Sequence, residues 1–485
     1  MTLVRQCRNT FIRRFETIGY VTSQLTKRDR VYDAVGAIFL GGIRRVPRAV
    51  DDLVEEVHRQ FIDADVEELR RDFVEFVLDL ERDGFVVTGD TPADLERRDA
   101  GFTYQVETPK TIAVRIGSRE TDVGRRPTDE VMTSHFREHP TIFGAHFELT
   151  SACNERCVHC YKPPGHVRHA DIAFALDLLD QLSAMGTCSL TLSGGEPTLH
   201  PQFIEILNGA RQRDFVINVL SNGLHFSPEL LDTLRDVNLN MIQISLYSMD
   251  PEIHDLITAV PGSQKQTLHT IEELIARDVP VQISCQIMKQ NRNGYRAVSR
   301  WCHEHKVRVL SDFIMMARSD FDTSNLANRL GIDDTRSVIQ DIITADDEYQ
   351  LLLDVDPRSR DLEEFASQPV CGVAIDNACF TADGTMYPCA GFQCYPLGNV
   401  REGTVRDVWE NSERVRFLRQ IQNGSFPTCL RCEARDYCIM CLVRNFNESG
   451  GDMFKVADHF CQVAFLNKEL VEHWRVEKGG RSKVV

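Results

Sequence analysis

The sequence predicts an α/β protein: a partial (β/α)6 barrel of the TIM type, with an N-terminal winged-helix domain before it and a C-terminal cysteine-rich cluster domain after it. Three observations predict this order. Two segments of helical periodicity lie within the first hundred residues. Apolar runs of strand length then alternate with helical segments from residue 142 to about residue 345. Twelve of the 16 cysteines fall into two groups, at residues 153–160 and 371–461.

The N-terminal segment predicts a small winged fold over residues 1–110. Its expected elements are short strands or helix starts over residues 11–25 and 31–40, helices over residues 51–60 and 66–83, and a β-wing over residues 84–89. We expect Asp51 and Asp52 to cap the first helix, and the second helix has a continuous apolar face. A polar linker at residues 111–140 leads to the next domain.

The barrel is predicted over residues 141–345 from its alternation of strands and helices. The expected strands are residues 146–150, 189–193, 216–221, 241–246, 281–288 and 307–316. The expected helices are residues 171–185, 203–213, 228–237, 266–277 and 296–305. In barrels of this kind the chemistry lies at the carboxyl ends of the strands. Cys153, Gly194, Asn222 and Ser245 lie at or just past such ends, so we expect them to converge.

Composition and charge exclude several classes of protein. The chain has no run of about 18 apolar residues and no apolar N-terminal stretch, so we expect no membrane span, no secretion signal and a cytoplasmic location. The net charge of −17 argues against nucleic acid as a partner, because a phosphate backbone binds cationic surface. Thiols stay reduced in the cytoplasm, so the clustered cysteines predict metal sites rather than disulfides.

The first cysteine group has a spacing that suits an incompletely ligated iron–sulfur cluster. Cys153, Cys157 and Cys160 form a Cys-x3-Cys-x2-Cys run after a predicted strand. A [4Fe–4S] cluster has four irons, each of which takes one thiolate. Three thiolates therefore leave one iron free for a small molecule. A second predicted strand ends in Ser193-Gly-Gly-Glu196, a glycine pair followed by a carboxylate.

Together, these two motifs resemble the radical S-adenosylmethionine superfamily over residues 142–317. The resemblance implies a catalytic cluster on Cys153, Cys157 and Cys160, whose free iron binds the amino and carboxylate groups of S-adenosylmethionine. It implies that the residues contacting this cofactor are His159, Gly194, Gly195, Glu196, Asn222, Ser245 and Met316. One position departs from the family pattern: Thr258 stands where many relatives have an arginine that binds the cofactor carboxylate.

The C-terminal cysteines resemble the SPASM domain, which holds two auxiliary [4Fe–4S] clusters in radical enzymes that modify peptides. We expect this domain at residues 365–470, followed by a tail at residues 471–485. The resemblance implies ligand sets of Cys429, Cys432, Cys438 and Cys461 for an outer cluster, and of Cys371, Cys389 and Cys441 for an inner one. Cys394, Cys379 or an open iron site completes the inner set. Cys379 stands where relatives have an ordinary strand residue, so Cys394 is slightly favoured, or an open site. The alternative is a structural zinc module, since Cys-x2-Cys pairs suit zinc.

The N-terminal domain resembles the RiPP recognition element, a small winged fold that adds the leader of a precursor peptide to its sheet as an extra strand. Its basic residues are expected to attract an acidic leader: Arg13, Arg14, Lys27, Arg28 and Arg30. DNA binding is disfavoured, because the helix predicted over residues 66–83 is strongly acidic and would be repelled by phosphate. The alternative is a domain that only packs on the barrel.

The sequence therefore predicts a radical S-adenosylmethionine enzyme that modifies a ribosomally synthesised precursor peptide with a leader. The expected product is a thioether crosslink formed through a 5′-deoxyadenosyl radical, and the expected reductant is a flavodoxin or ferredoxin. Three alternatives remain: a radical enzyme that forms carbon–carbon or carbon–oxygen crosslinks, a sulfatase-type maturase, and a non-enzymatic iron–sulfur redox-sensing regulator.

Overall fold

The computed structural model describes residues 2–61, 63–99, 127–345 and 361–477. The N-terminal elements are β1 (Leu3–Gln6), β2 (Thr10–Arg14), β3 (Gly19–Ser23), β4 (Asp29–Tyr32), α1 (Ala34–Gly42), β5 (Arg48–Ala49), α2 (Val50–His58), α3 (Val66–Arg82), β6 (Val86–Gly89) and α4 (Pro92–Arg98). The strands form two antiparallel sheets of three strands, ordered β2–β3–β4 and β5–β1–β6. The helices pack around a core that includes Leu40, Leu53 and Phe73.

The two predicted N-terminal helices are present as α2 and α3, but the predicted wing has a different topology. The segment expected to form the wing is β6, which pairs with β1 rather than forming a hairpin of its own. A winged-helix topology is therefore not confirmed. Helix α2 begins at Val50, so Asp51 and Asp52 lie in its first turn instead of capping it. Carboxylates in a first turn still interact favourably with the helix dipole.

The central part contains all six predicted barrel strands: β7 (Gly144–Thr150), β8 (Ser189–Gly194), β9 (Val216–Ser221), β10 (Met241–Ser245), β11 (Val281–Gln286) and β12 (Arg308–Asp312). They pair in parallel in this order. The helices are α5 (Thr128–Glu138), α6 (Ile172–Ala184), α7 (Phe203–Gln212), α8 (Pro228–Asp236), α9 (Pro251–Thr258), α10 (Ser263–Ala276), α11 (Tyr295–Glu304) and α12 (Ile332–Ala345). Helices α5, α9 and α12 were not predicted.

The barrel strands have one apolar and one polar face. On β10, Ile242 and Ile244 are fully buried in the main core, whereas Gln243 and Ser245 on the opposite face are partly exposed. Helices cover the outside of such a barrel, so the polar face is the inner one. The inner face thus offers polar groups to a bound molecule.

The C-terminal part extends the barrel sheet instead of forming a separate one. Its elements are α13 (Leu362–Ser367), β13 (Asn377–Thr381), β14 (Thr385–Tyr387), β15 (Gly398–Asn399), α14 (Val405–Asn411), α15 (Glu413–Arg419), α16 (Pro427–Leu430), α17 (Leu442–Ser449) and α18 (Asp458–Glu477). Strand β13 pairs in parallel with β7 and is followed by β14 and β15. Helix α18 runs into the segment predicted as a tail. None of the helices in the described ranges has the length and apolar character needed to cross a lipid bilayer.

The N-terminal domain packs on the barrel at the end where the strands begin. Aromatic side chains of β2 and β3 join a core cluster with Phe136 of α5 and with Phe143, just before β7. Helix α5 thus lies within the segment predicted as a linker. Asp214, just before β9, accepts hydrogen bonds from Gln6 at 3.3 Å, Arg45 at 2.5 Å and Arg211 at 2.9 Å. This carboxylate fastens the two domains together.

Candidate active site and cluster-binding cysteines

The cysteines of the first motif lie in the loop that follows β7, which we call the cluster loop (residues 151–162). Two hydrogen bonds fasten it to the end of α9. The backbone N–H of Arg156 donates to Thr258 O at 2.9 Å, and that of Val158 donates to Ile257 O at 2.9 Å. The last carbonyls of a helix have no partner within the helix. The cluster loop therefore completes the end of α9, and α9 holds the loop in place.

The structure brings the thiols of Cys153, Cys157 and Cys160 close enough to act on one another. Burial raises the pKa of Cys153 to about 11 and that of Cys157 well above its ordinary value, and Glu155 and the neighbouring thiols add to both shifts. The thiols of Cys153 and Cys157 are therefore protonated in the absence of a metal. Metal binding deprotonates such ligands. A group of three converging thiols is the donor set that a [4Fe–4S] cluster with one free iron takes.

The glycine pair at the end of β8 is required by its contacts with the end of β7 and the start of the cluster loop. A Cβ atom at Gly194 would lie 2.2 Å from Thr150 O, and one at Gly195 would lie 2.2 Å from Ala152 O. The backbone N–H of Gly195 donates to Thr150 O at 2.8 Å. Both glycines thus allow close approach of the protein's own backbone, which places the start of the cluster loop.

Glu196 is fully buried and joins the ends of β8 and β9. Its carboxylate accepts from Thr198 Oγ1 at 2.6 Å, from Ser221 Oγ at 2.8 Å and from the backbone N–H of Asn222 at 2.8 Å. Burial raises the pKa of Glu196, and these donors act in the opposite direction. Asn222 in turn donates to Asn154 Oδ1 in the cluster loop at 2.7 Å. Glu196 thus holds the backbone of Asn222 in place through a hydrogen bond within the protein.

The remaining predicted cofactor residues approach one another from separate elements. The His159 ring lies 5.0 Å from the Tyr247 ring, and burial lowers the pKa of His159 to about 4, so the imidazole is neutral. Asn325 donates to the backbone carbonyls of His159 at 3.3 Å and Met316 at 2.9 Å. Ser245 ends β10 on its inner face. Asn325, which ties the cluster loop to the segment after β12, was missed by the sequence analysis.

Thr258, which stands at the position of the missing arginine, is buried at the end of α9. Its hydroxyl lies 2.7 Å from the hydroxyl of Ser263. A lysine lies nearer the strand ends. Lys162 Nζ donates to Gly194 O at 2.7 Å and forms an ion pair with Glu148 at 2.7 Å. Gln393 of the C-terminal part donates to the same carboxylate at 2.7 Å. This network links the cluster loop, β7, β8 and the C-terminal domain. The sequence analysis did not identify Lys162, because a single lysine is not part of any spaced motif.

Replacing Lys162 by methionine should destabilise the protein. Glu148 would be left buried and without its ion-pair partner, which costs about 3–5 kcal/mol. We expect the apparent melting temperature, measured under anaerobic conditions, to fall. The double variant Lys162→Met/Glu148→Gln should recover part of the loss.

The matched control is Arg168→Met. Its ion pair with Asp383 is longer, at 3.7 Å, and the arginine side chain is 65% exposed. An exposed pair contributes at most about 1 kcal/mol. Equal destabilisation by Lys162→Met and by the double variant would show that the ion pair is not the cause.

The C-terminal cysteines form two groups in the structure. Burial raises the pKa of Cys371, Cys389, Cys429, Cys438 and Cys461, and for each of them another cysteine of the same group adds to the shift. The inner group is Cys371, Cys389 and Cys441, and the outer group is Cys429, Cys432, Cys438 and Cys461. In the described ranges, no three His, Cys, Asp or Glu side chains are spaced to hold a single metal ion. The grouping matches the two ligand sets expected from the resemblance.

The structure does not bring Cys394 to the inner group. Its thiol donates to Asn447 Oδ1 at 3.0 Å, and burial raises its pKa to about 11 without a contribution from another cysteine. Cys379 lies on β13 and is fully buried, with Cys389 among the groups that act on it. This placement gives no support to Cys394 as the fourth ligand, because its thiol meets Asn447 and none of the inner thiols acts on it.

Comparisons with known proteins identify two of the three parts of the chain. Residues 147–316 match the radical SAM superfamily. Residues 371–433 match SPASM, an iron–sulfur cluster-binding domain. The chain is 25% identical to the AdoMet-dependent heme synthase of Methanosarcina barkeri, over 63% of this chain and 92% of that protein. It is 27% identical to AlbA, the antilisterial bacteriocin subtilosin biosynthesis protein of Bacillus subtilis, over 66% of this chain and 71% of that protein.

The fold is similar to those of solved structures. SuiB of Streptococcus suis bound to precursor peptide SuiA aligns with a TM-score of 0.64 at 15% identity, covering 94% of this chain and 99% of SuiB. The anSMEcpe protein with bound AdoMet aligns with a TM-score of 0.55 at 16% identity, covering 70% of this chain and 95% of that protein. The chain thus contains a radical SAM domain at residues 147–316 and a SPASM domain at residues 371–433; it is an enzyme whose cofactors are S-adenosylmethionine and [4Fe–4S] clusters.

Proposed function

We propose that this enzyme modifies a ribosomally synthesised precursor peptide whose leader docks on the N-terminal domain. The radical SAM and SPASM domains alone do not choose the substrate, since one relative is a heme synthase and another takes part in bacteriocin biosynthesis. The observation that carries the proposal is the N-terminal domain. The likeness to SuiB with its precursor peptide extends over 94% of the chain and includes that domain, whereas the likeness to anSMEcpe covers 70%.

The leader would add to β4, the outer strand of the sheet β2–β3–β4. The other outer strand, β2, faces the barrel, where Arg13 donates to Thr187 O at 2.9 Å and Asp214 O at 2.6 Å. The backbone of an outer strand supplies affinity in this mode of binding. Arg30 is engaged with acidic residues of α3, and Lys27 donates to Asn240 at 2.8 Å. These basic side chains are thus less available to an acidic leader than the sequence suggested.

The cofactors supply the hard chemistry, because a reduced cluster and S-adenosylmethionine yield a 5′-deoxyadenosyl radical that removes hydrogen from the substrate. The protein's part is to position the cofactors and the substrate and to enclose them. Glu196 holds Asn222, and Asn325 holds the backbone at His159 and Met316. The polar inner faces of β10 and β11 line the space beside these groups. A flavodoxin or ferredoxin would supply the electron.

The leader requirement can be tested with the precursor itself. We expect the reconstituted enzyme to modify full-length precursor and to leave a leaderless core peptide unchanged at the same concentration. If the leader binds with micromolar affinity, its loss removes about 8 kcal/mol of binding free energy. Free leader added in trans should restore modification in part. Equal turnover of precursor and leaderless core would contradict leader docking.

For the bond formed, we propose a thioether. The inner group has three cysteines, Cys371, Cys389 and Cys441, so a cluster held by them would have a position for a substrate thiolate. Coordination keeps such a thiol deprotonated. The substrate radical would attack the sulfur, and the electron released would pass to the cluster. Labelling the product with iodoacetamide tests this: we expect one thiol fewer per crosslink. Full labelling would indicate a carbon–carbon or carbon–oxygen crosslink instead.

A further inference from the structure

A buried arginine lies against the outer group of cysteines. Arg444, on α17, is 5% exposed, and its guanidinium carbon lies 3.9 Å from the centre of the Phe460 ring. Its N–H donates to the backbone carbonyl of Ile439. Ile439 follows Cys438 in the chain, and Phe460 precedes Cys461. Arg444 therefore contacts the immediate neighbours of two members of the outer group.

The guanidinium of Arg444 forms no ion pair within 4.0 Å in the described ranges. The carboxyl of Asp312, at the end of β12, acts on it from farther away, and burial raises the pKa of that carboxyl. Arg329 provides the contrast. Its guanidinium carbon lies 5.0 Å from the same Phe460 ring, but Arg329 forms an ion pair with Glu448. A buried charge without a direct partner costs several kcal/mol, and such charges are normally paired or bound to a metal site. Arg444 thus lacks the direct counter-ion that Arg329 has.

The outer group supplies the missing charge when it carries a cluster. Four thiolates outweigh the positive charge of the iron–sulfide core, so the ligated cluster is an anion. Arg444 reaches this group through the backbone carbonyl beside Cys438 and through the ring beside Cys461. A ligated outer cluster would therefore place a negative charge next to the Arg444 guanidinium.

We propose that Arg444 is the counter-ion of the outer auxiliary cluster and raises its reduction potential. Reduction adds one electron to the cluster and makes it more negative, so a fixed buried cation stabilises the reduced form more than the oxidised form. The outer cluster would then accept, from the inner cluster, the electron that a substrate radical releases when its new bond forms. This inference rests on the ligand sets proposed above.

The test is a redox titration monitored by electron paramagnetic resonance, with dithionite as the reductant. It uses full-length protein that carries Cys153→Ala, Cys157→Ala and Cys160→Ala, so that only auxiliary clusters contribute. The signal that a further Cys461→Ala change removes is assigned to the outer cluster. We expect Arg444→Gln to make the midpoint potential of that signal more negative, and Arg444→Lys to keep it close to the starting value.

The matched control is Arg431→Gln. Arg431 lies between Cys429 and Cys432 but is exposed, so water and salt screen its charge and its removal should shift the potential little. Loss of the outer cluster iron from Arg444→Gln but not from Arg444→Lys would also support the counter-ion role. An unchanged potential in Arg444→Gln, or equal changes in the glutamine and lysine variants, would overturn it. If Cys461→Ala removes no signal, the ligand assignment has failed instead.

Discussion

Changing Cys153, Cys157 and Cys160 together to alanine should abolish the formation of 5′-deoxyadenosine. The three thiols lie in one loop, and we propose that they are the protein ligands of the catalytic cluster. The variant should lose about four irons of the roughly twelve expected from three [4Fe–4S] clusters. The auxiliary irons should remain, because the inner and outer groups draw on other cysteines. Iron analysis and chromatography of deoxyadenosine after reduction would measure both effects.

A buried cysteine outside the three groups controls for the loss of a thiol as such. Cys302, on α11, is fully buried in the barrel core. Cys302→Ala removes one buried thiol from the core and should leave both the iron content and the yield of deoxyadenosine close to those of the parent. Deoxyadenosine production by the triple variant would contradict the assignment of the catalytic cluster.

Gly195→Ala should have nearly as large an effect, although alanine is a small residue with no charge. The new methyl group would lie 2.2 Å from Ala152 O, which is a backbone atom and has no rotamer to change. The cluster loop must therefore move away from the end of β8. Overpacking of this kind costs about 1–3 kcal/mol in stability. The larger consequence is the displacement of Cys153, the next residue in the loop.

We expect Gly195→Ala to form no measurable deoxyadenosine and to bind S-adenosylmethionine weakly in equilibrium dialysis. Gly165→Ala is the matched control, because Gly165 lies shortly after the cluster loop and a Cβ there meets nothing within 4 Å. It should behave like the parent. Equal activity of the two variants would show that the close contact between β8 and the cluster loop does not determine the site.

The sequence was sufficient for the elements that depend on local periodicity. The six barrel strands and the five predicted barrel helices are present, with bounds shifted by a few residues. Helix α9 was missed, since its eight residues provide too short a window for a periodic pattern. The pairing of β13 with β7, and of β6 with β1, was also missed. Both join strands that are far apart in the chain, and no local pattern specifies the partner of a strand.

The residues of the candidate site also fall into those that the sequence could predict and those that it could not. The cysteine groups and the glycine pair have fixed spacings, so their residues could be named before their positions were known. Lys162, Asn325 and Arg444 act through long-range contacts, and a lone polar residue has no spacing to detect. The preference for Cys394 found no support, because its thiol meets Asn447, a contact that no sequence pattern specifies.

The most direct test of the proposed function is the mass spectrum of a precursor peptide, encoded beside this enzyme, after anaerobic incubation with enzyme, reductant and S-adenosylmethionine. We predict a product lighter than the precursor by the mass of two hydrogen atoms per crosslink, with one deoxyadenosine formed for each. The Cys153, Cys157 and Cys160 triple variant should give neither. Deoxyadenosine formed at the same rate with and without the peptide, together with an unchanged peptide mass, would contradict the proposal that this enzyme modifies that peptide.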